Sequence, residues 1–183
     1  MNVPETAGDD ATDQALIARW QGGDERAATA LVARHAESLA RFVASLGERE
    51  DVDGLVQDTF VRAFGSFDSF RGESSLRTWL FTIARRLLLD RRRAARRRPE
   101  LTDVQDADAA TGFNALDGMV ADETADRVRA AVERLTPTQR EVFSLRVVEG
   151  LSYKEVAEVV GTTEGAARVH YHNAMRAVKE FLK

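Results

Sequence analysis

The sequence predicts an all-α protein of two small helical domains joined by a flexible acidic linker. Three observations predict it. Apolar residues recur at three- and four-residue spacings through most of the chain, while the alternation of strands is weak. Of 183 residues only three are Pro, and 44% are hydrophobic against 31% charged, enough to bury one or two small cores and unlike a disordered or fibrous chain. Between residues 99 and 121 the apolar period stops, leaving five acids, no basic residue, and Gly112 and Gly118 among small side chains. That is the composition of a tether, whose root-mean-square span at this length is roughly 25 Å. The expected organisation is a disordered acidic tail over 1–13, a first domain over 14–98, the linker over 99–121 and a second domain over 122–183.

The tail carries Glu5, Asp9, Asp10 and Asp13 and no basic residue, so it lacks the positive region and apolar stretch of a signal peptide. A short helix near Asp13 to Trp20 follows. From Asp24, the positions Ala28, Leu31, Val32, Leu39, Phe42, Val43 and Leu46 form one apolar stripe. From Asp51, Val52, Leu55, Val56, Phe60, Ala63 and Phe64 form a second, and Leu76, Trp79, Leu80, Ile83, Ala84 and Leu87 a third. Turns at Gly47 to Glu50 and Phe67 to Glu73 join the stripes into a bundle. In the second domain, Thr136-Pro137-Thr138-Gln139 and Ser152-Tyr153-Lys154-Glu155 are capping boxes that fix two helix starts, and Gly150 stops the helix between them. After Ser152 a short helix, a tight turn at Gly161 to Thr163 and a longer helix follow at helix-turn-helix spacing. On the last helix Gly165, Arg168, Val169, His172 and Arg176 share an outer face that starts small and basic.

Charge is unevenly distributed around the net value of −4. Arg85 to Arg98 holds eight Arg against Asp90 alone, a density able to neutralise several phosphates, or simply a solvated basic helix end. On the third helix Arg77, Phe81, Arg85 and Arg92 fall within about 80° of one another. An exposed Phe flanked by arginines would stack on an unpaired base; alternatively Phe81 packs on the short first helix. Small residues at the start of the last helix let it enter a major groove, where Arg168 reaches a guanine edge or a phosphate and Arg176 a phosphate. A structural helical hairpin would show the same capping.

The chemistry of an enzyme is missing. No Gly-rich phosphate loop, nucleophile elbow or pair of catalytic carboxylates is matched. With no Cys there is neither a disulfide nor a thiolate metal site, which makes a reducing, cytoplasmic setting the expectation. His170 and His172 point about 200° apart on one helix and cannot share a metal there. No cofactor is expected, and no stretch approaches the roughly 20 apolar residues of a membrane span. Asp53, Gln57, Asp58 and Arg62 form a polar strip at helical spacing, suited to docking on another protein's helix.

In order, these residues resemble the extracytoplasmic-function sigma factors of bacterial RNA polymerase over nearly the whole chain. The run from Asp51 to Phe64 is similar to the family's region 2.2, which binds the clamp helices of core polymerase. This implies Asp53, Gln57, Asp58 and Arg62 as polymerase contacts. Phe70 to Arg85 with Asp90-Arg91 resembles regions 2.3 and 2.4, which melt and read the minus-ten element. That implies strand contacts from Phe67, Phe70, Arg71, Arg77, Trp79, Phe81, Arg85 and Arg92, with the loop Phe67 to Arg71 holding a flipped-out base. Leu135 to Phe143 and Gly150 onward resemble region 4, which docks on the polymerase flap and reads the minus-thirty-five duplex. This implies Tyr153, Lys154, Thr163, Gly165, Arg168, Val169, His172 and Arg176 as contacts there. The resemblance further implies that the linker threads the RNA path and that a cognate anti-sigma factor exists, with no membrane insertion by this chain. The folded region 3 of primary sigma factors is absent. Gly54 stands where the family usually has an acid, Arg86 where Asn is common, and Val169-His170 where Ser-Arg is usual. A stand-alone helix-turn-helix regulator, binding as a dimer, and a helical adaptor for an acidic partner are the competing readings.

Overall fold

Side-chain caps open most of the described helices. In a computed structural model, which describes residues 6–97 and 123–183, Asp24 accepts from the Arg26 amide at 3.0 Å to open α2 (Glu25–Ser45), and Asp51 from the Gly54 amide at 3.1 Å to open α3 (Val52–Phe64). Before them runs α1 (Thr6–Gln21). A 3-10 turn (Phe67–Ser69) leads from α3 toward α4 (Leu76–Arg97). The second half holds α5 (Glu123–Glu133), α6 (Pro137–Phe143), α7 (Tyr153–Val160) and α8 (Glu164–Leu182). Among the described residues there is no strand. The expected linker, 99–121, lies outside the described residues.

The three expected stripes converge. Leu31, Leu39, Phe42 and Val43 of α2 meet Leu55, Phe60 and Ala63 of α3 and Leu76, Leu80, Ile83, Ala84 and Leu88 of α4, all buried. The helix expected from Asp13 starts earlier, at Thr6, so residues 6–13 are helical rather than a disordered tail. What anchors it is polar. Asp13 is buried, with one carboxylate oxygen 2.9 Å from His35 Nε2 and the other 3.5 Å from Arg34 Nε, while Leu16 and Ile17 enter the core beside it. A buried carboxylate needs such partners, and nothing in an acidic run signals that one of its members has them.

Both capping boxes form. Thr136 and Gln139 exchange bonds at 3.4 and 3.3 Å, and Ser152 and Glu155 at 3.3 and 2.8 Å. Gly150 and Gly161 end their helices with φ of 69° and 74°, the left-handed backbone that favours glycine. Between α6 and Gly150 the chain widens into a π-helical turn over Ser144–Val148, closed by the Glu149 amide on the Ser144 carbonyl at 3.1 Å. Widening the turn changes the phase of the side chains. Val142 and Leu145 thereby face the first half, while Phe143 and Val148 face α5 and α8.

The halves are therefore not held apart. Val142, Leu145, Leu151, Val156, Val159 and Val160 join the core of α2, α3 and α4 in one continuous cluster. A second, smaller cluster of Ala131, Val132, Leu135, Phe143, Ala174 and Val178 ties α5, α6 and α8 together. Helix α4 packs against α2, α3 and α7 at once.

Candidate nucleic-acid and polymerase interfaces

One surface lies on α3. Val32, Val56, Phe60, Val61 and Phe64 line an apolar groove of about 270 Å³, rimmed by Asp53 and Gln57. Val61 is 65% exposed, the highest value for a large apolar residue among those described. All four members of the polar strip, Asp53, Gln57, Asp58 and Arg62, are exposed. Asp58 receives Arg91 Nη2 at 2.6 Å, and the same guanidinium donates to Asp51 at 2.8 Å. Asp58 first, and then Asp51, hold the Arg91 guanidinium above its usual range. A Cβ at Gly54 would meet the Asp51 carboxylate at 2.1 Å, so a side chain there would force the cap of α3 to turn away.

A second surface is built by the 3-10 turn and α4. Phe67 is buried, its ring 5.7 Å from Trp79 and 5.5 Å from Phe64. Phe70 and Trp79, 5.0 Å apart, are half-buried, and Arg71 is exposed. Arg92 donates to the Leu46 carbonyl at 2.7 Å, and Arg93 pairs with Asp90 at 3.1 Å. Arg86, Arg96 and Arg97 are exposed.

Phe81 departs from the outward-facing position expected for it. It has no exposed surface and packs on Phe42 with ring centroids 4.7 Å apart. The reason is that α4 has three helical neighbours rather than two, so its buried arc is wider than a two-sided stripe and takes in the Arg77 side of the helix. Phe81 is thus a core residue, sharing one cluster with Leu16 and Ile17 of α1 and packing on Phe42 of α2. Its ring lies under Arg77, at 5.8 Å from the guanidinium carbon.

Arg77 and Arg85 are themselves engaged by the second half. Arg77 donates to the Glu149 carbonyl, and Arg85 Nε to the Glu141 carboxylate. Glu149 takes Arg41 Nε at 3.3 Å. Thr78 Oγ1 donates to Glu155 at 3.1 Å, and Ser74 Oγ to Glu158 at 2.7 Å. Burial pushes the carboxyls of Glu141 and Glu149 up, against the pull of Arg85 on the first and of Arg41 and Arg77 on the second. Hydrogen bonds from Ser152 and Thr78 outweigh burial at Glu155 and bring it down. Of these glutamates the sequence singles out only Glu155, as half of a capping box; the engagement of Glu141, Glu149 and Glu158 comes only from partners in the other half.

The third surface is the helix-turn-helix. Thr163 caps α8 through the Ala166 amide at 3.2 Å. The face predicted for it is open: Gly165, Arg168, Val169, His172 and Arg176 are all exposed, Val169 to 58%. Thr163 and Lys154 are exposed beside it, and Tyr153 is half-buried. Tyr153 lies between two guanidiniums, with Arg168 Cζ 4.7 Å and Arg146 Cζ 4.9 Å from its ring centroid. Glu164 also holds Arg168, at 2.8 Å. Arg176 donates to Asn173 at 3.3 Å. A Cβ at Gly165 would meet nothing within 4 Å, so packing within the chain does not require glycine there.

Among the described residues no cluster of His, Asp or Glu could hold a metal ion, and no helix is long and apolar enough to cross a membrane. Residues 31–98 match the family description of Sigma-70 region 2, and residues 125–178 that of Sigma-70, region 4. The ECF RNA polymerase sigma-E factor of Salmonella typhimurium is 34% identical over 177 residues, 91% of this chain and 92% of its own. The chain belongs to the extracytoplasmic-function sigma factors. Among solved structures, that of CnrH in complex with the cytosolic domain of CnrY superposes with a TM-score of 0.67 at 32% identity, covering 93% of this sigma factor and 96% of CnrH. The sigma factor RpoE of Bartonella quintana, in complex with the anti-sigma factor NepR, gives 0.65 at 26% identity over 84% and 95%. The role of this sigma factor is accordingly in transcription initiation by RNA polymerase. The two matched regions fall one in each helical half, the first beginning within α2 and leaving α1 outside it, and the groove on α3 and the open face of α8 lie one in each.

Proposed function

We propose that this sigma factor selects an alternative, stress or envelope-type set of promoters by docking on core polymerase through α3, capturing the melted minus-ten strand beside α4 and reading the minus-thirty-five duplex with α8. It is a specificity subunit with no catalysis of its own and works in the cytoplasm. The observation that carries the reading is the exposed face of α8, where an arginine is already held in place above an aromatic ring. An arginine so oriented loses less freedom when it makes a bidentate contact to a guanine edge. Val169 beside it is apolar and exposed, which suits a thymine methyl, and Gly165 supplies the close approach that its surroundings do not demand.

On α3, the apolar groove rimmed by Asp53 and Gln57 suits a helix of the polymerase clamp, with Val61 as the central anchor and Asp58 and Arg62 as further contacts from the same helix. A docking surface on the second half would engage the flap. Phe70 and Trp79 are the aromatic rings with surface left for stacking, with Phe67 packed beneath them and Arg71 at the loop's edge. Arg77, Arg85 and Arg92 lie on the basic flank for phosphates. Flipping a base costs a few kcal/mol, which docking and strand capture together offset. Polymerase supplies the effective concentration that makes two weak DNA contacts useful. The complexes of CnrH with CnrY and of RpoE with NepR support a cognate anti-sigma factor for this chain as well.

Transcription from a promoter library, with this chain as the sole specificity subunit added to core polymerase, tests the reading. Selected templates should share a minus-thirty-five element whose preference at one position relaxes in Arg168→Ala, at a cost of about 1–3 kcal/mol. Absence of transcripts from every template, with the chain folded, would refute it.

A further inference from the structure

We propose that Arg146 is a positioning residue for the recognition helix: through the Tyr153 ring it aims the Arg168 guanidinium at a base edge, without touching DNA itself. The inference deepens the duplex-reading role given to α8 above and rests on it.

Arg146 is at the centre of the π-helical turn over Ser144–Val148. Such turns are rare and are frequently found at functional sites. Arg146 Nη1 donates to the Leu151 carbonyl at 2.7 Å, and the Leu151 amide donates to the Leu145 carbonyl at 3.0 Å. The guanidinium is thereby tied to the segment that leads into α7, whose first residue is Tyr153. Tyr153 itself has little freedom. The capping box of Ser152 and Glu155 fixes the backbone on either side of it, and Tyr171 of α8 meets its ring edge-on at 5.8 Å.

Arg146 and Arg168 share this ring, with Cζ 4.9 and 4.7 Å from its centroid. An aromatic face attracts each guanidinium, while the two cations repel one another. Their circumstances are unequal. Arg146 is half-buried and anchored on a carbonyl, whereas the Arg168 side chain is 62% exposed, with Glu164 at 2.8 Å. The repulsion therefore acts on Arg168 and directs it toward solvent, where a duplex would lie, while the ring and Glu164 keep it from swinging free. A planar fork whose orientation is set in advance loses less on pairing with a base edge. Arg146, half-buried and spent on the Leu151 carbonyl, is poorly placed to reach a phosphate.

Holoenzyme assembled with core polymerase tests this on promoter duplexes carrying each of the four bases at the position where Arg168→Ala relaxes the preference. Arg146→Ala should reduce discrimination at that same position about two- to fivefold. Arg146→Gln, which keeps a donor for the Leu151 carbonyl and loses the cation, should do the same, so the result does not depend on the turn tolerating the larger truncation. Arg146→Lys, which keeps both cation and donor, should restore most of the discrimination. Arg146→Ala/Arg168→Ala should discriminate no less than Arg168→Ala alone, since both changes act through one contact. The slope of log affinity against log salt should stay that of the parent, whereas loss of a phosphate contact would make it shallower by about 0.9. Uniform weakening over all four bases with the shallower slope, or losses that multiply in the double variant, would overturn the positioning role. Full discrimination by Arg146→Gln where Arg168→Ala has lost it would overturn it too and leave the reading of α8 intact. If Arg168→Ala relaxes no position, the duplex-reading role of α8 fails and the inference falls with it.

Discussion

Truncating Phe81 separates packing from DNA contact at the residue where sequence and structure diverge most. Its ring is fully buried and packs on Phe42 at 4.7 Å. A Phe side chain covers about 150–250 Å², which at roughly 25 cal/mol per Å² corresponds to about 4–6 kcal/mol. Measured Phe→Ala truncations in cores cost about 3–5 kcal/mol. The expectation for Phe81→Ala is therefore a loss of about 3–5 kcal/mol, and for Phe81→Leu, which keeps most of the volume, about 1–1.5 kcal/mol. At this chain length the first corresponds to a fall in Tm of about 10 °C. Thermal and urea unfolding of the full-length chain, followed by circular dichroism, give both numbers. Should Phe81→Ala unfold within about 0.5 kcal/mol of the parent and yet lose open-complex formation, the burial argument is wrong and Phe81 is a surface platform for bases.

Other consequences are equally direct. Val61→Arg places a charge in the apolar groove of α3 at a position 65% exposed, so folding stability should stay within about 0.5 kcal/mol while binding to core polymerase, followed by fluorescence anisotropy, falls at least about tenfold. Tyr153→Ala removes the ring between Arg146 and Arg168 and should weaken duplex binding by about 1 kcal/mol, with Tyr153→Phe restoring it. Stability should also depend on pH. Glu141, facing Arg85 and Arg92, and Glu149, facing Arg41, Arg77 and Glu37, have carboxyls raised by burial above the ordinary 4.5. Protons then favour the folded form, with a contribution complete below 4.5 and lost as pH rises through the raised values. Glu155 is lowered, so its contribution is present above 4.5 and lost only as pH falls below that. Between pH 7 and 5 the Tm should therefore rise more for the parent than for Glu141→Gln/Glu149→Gln; an equal or smaller rise would contradict the assignment.

Local rules made much of this molecule legible. The Asp24, Asp51, Thr136 and Ser152 caps, the glycines that stop two helices, and the face of α8 follow from interactions within a few residues, and each formed where its pattern stands. Contacts across the chain are what sequence spacing does not carry. Asp13 looks like one acid among several until His35, 22 positions away, is set beside it. Glu141 and Glu149 look like solvated helix charge until Arg85 and Arg41 arrive from the other half. Phe81 fails for the same reason: its angle on the helix was right, but the number of helices packed around α4 decides what that angle faces. The π-helical turn over Ser144–Val148 has no capping or turn residue to announce it.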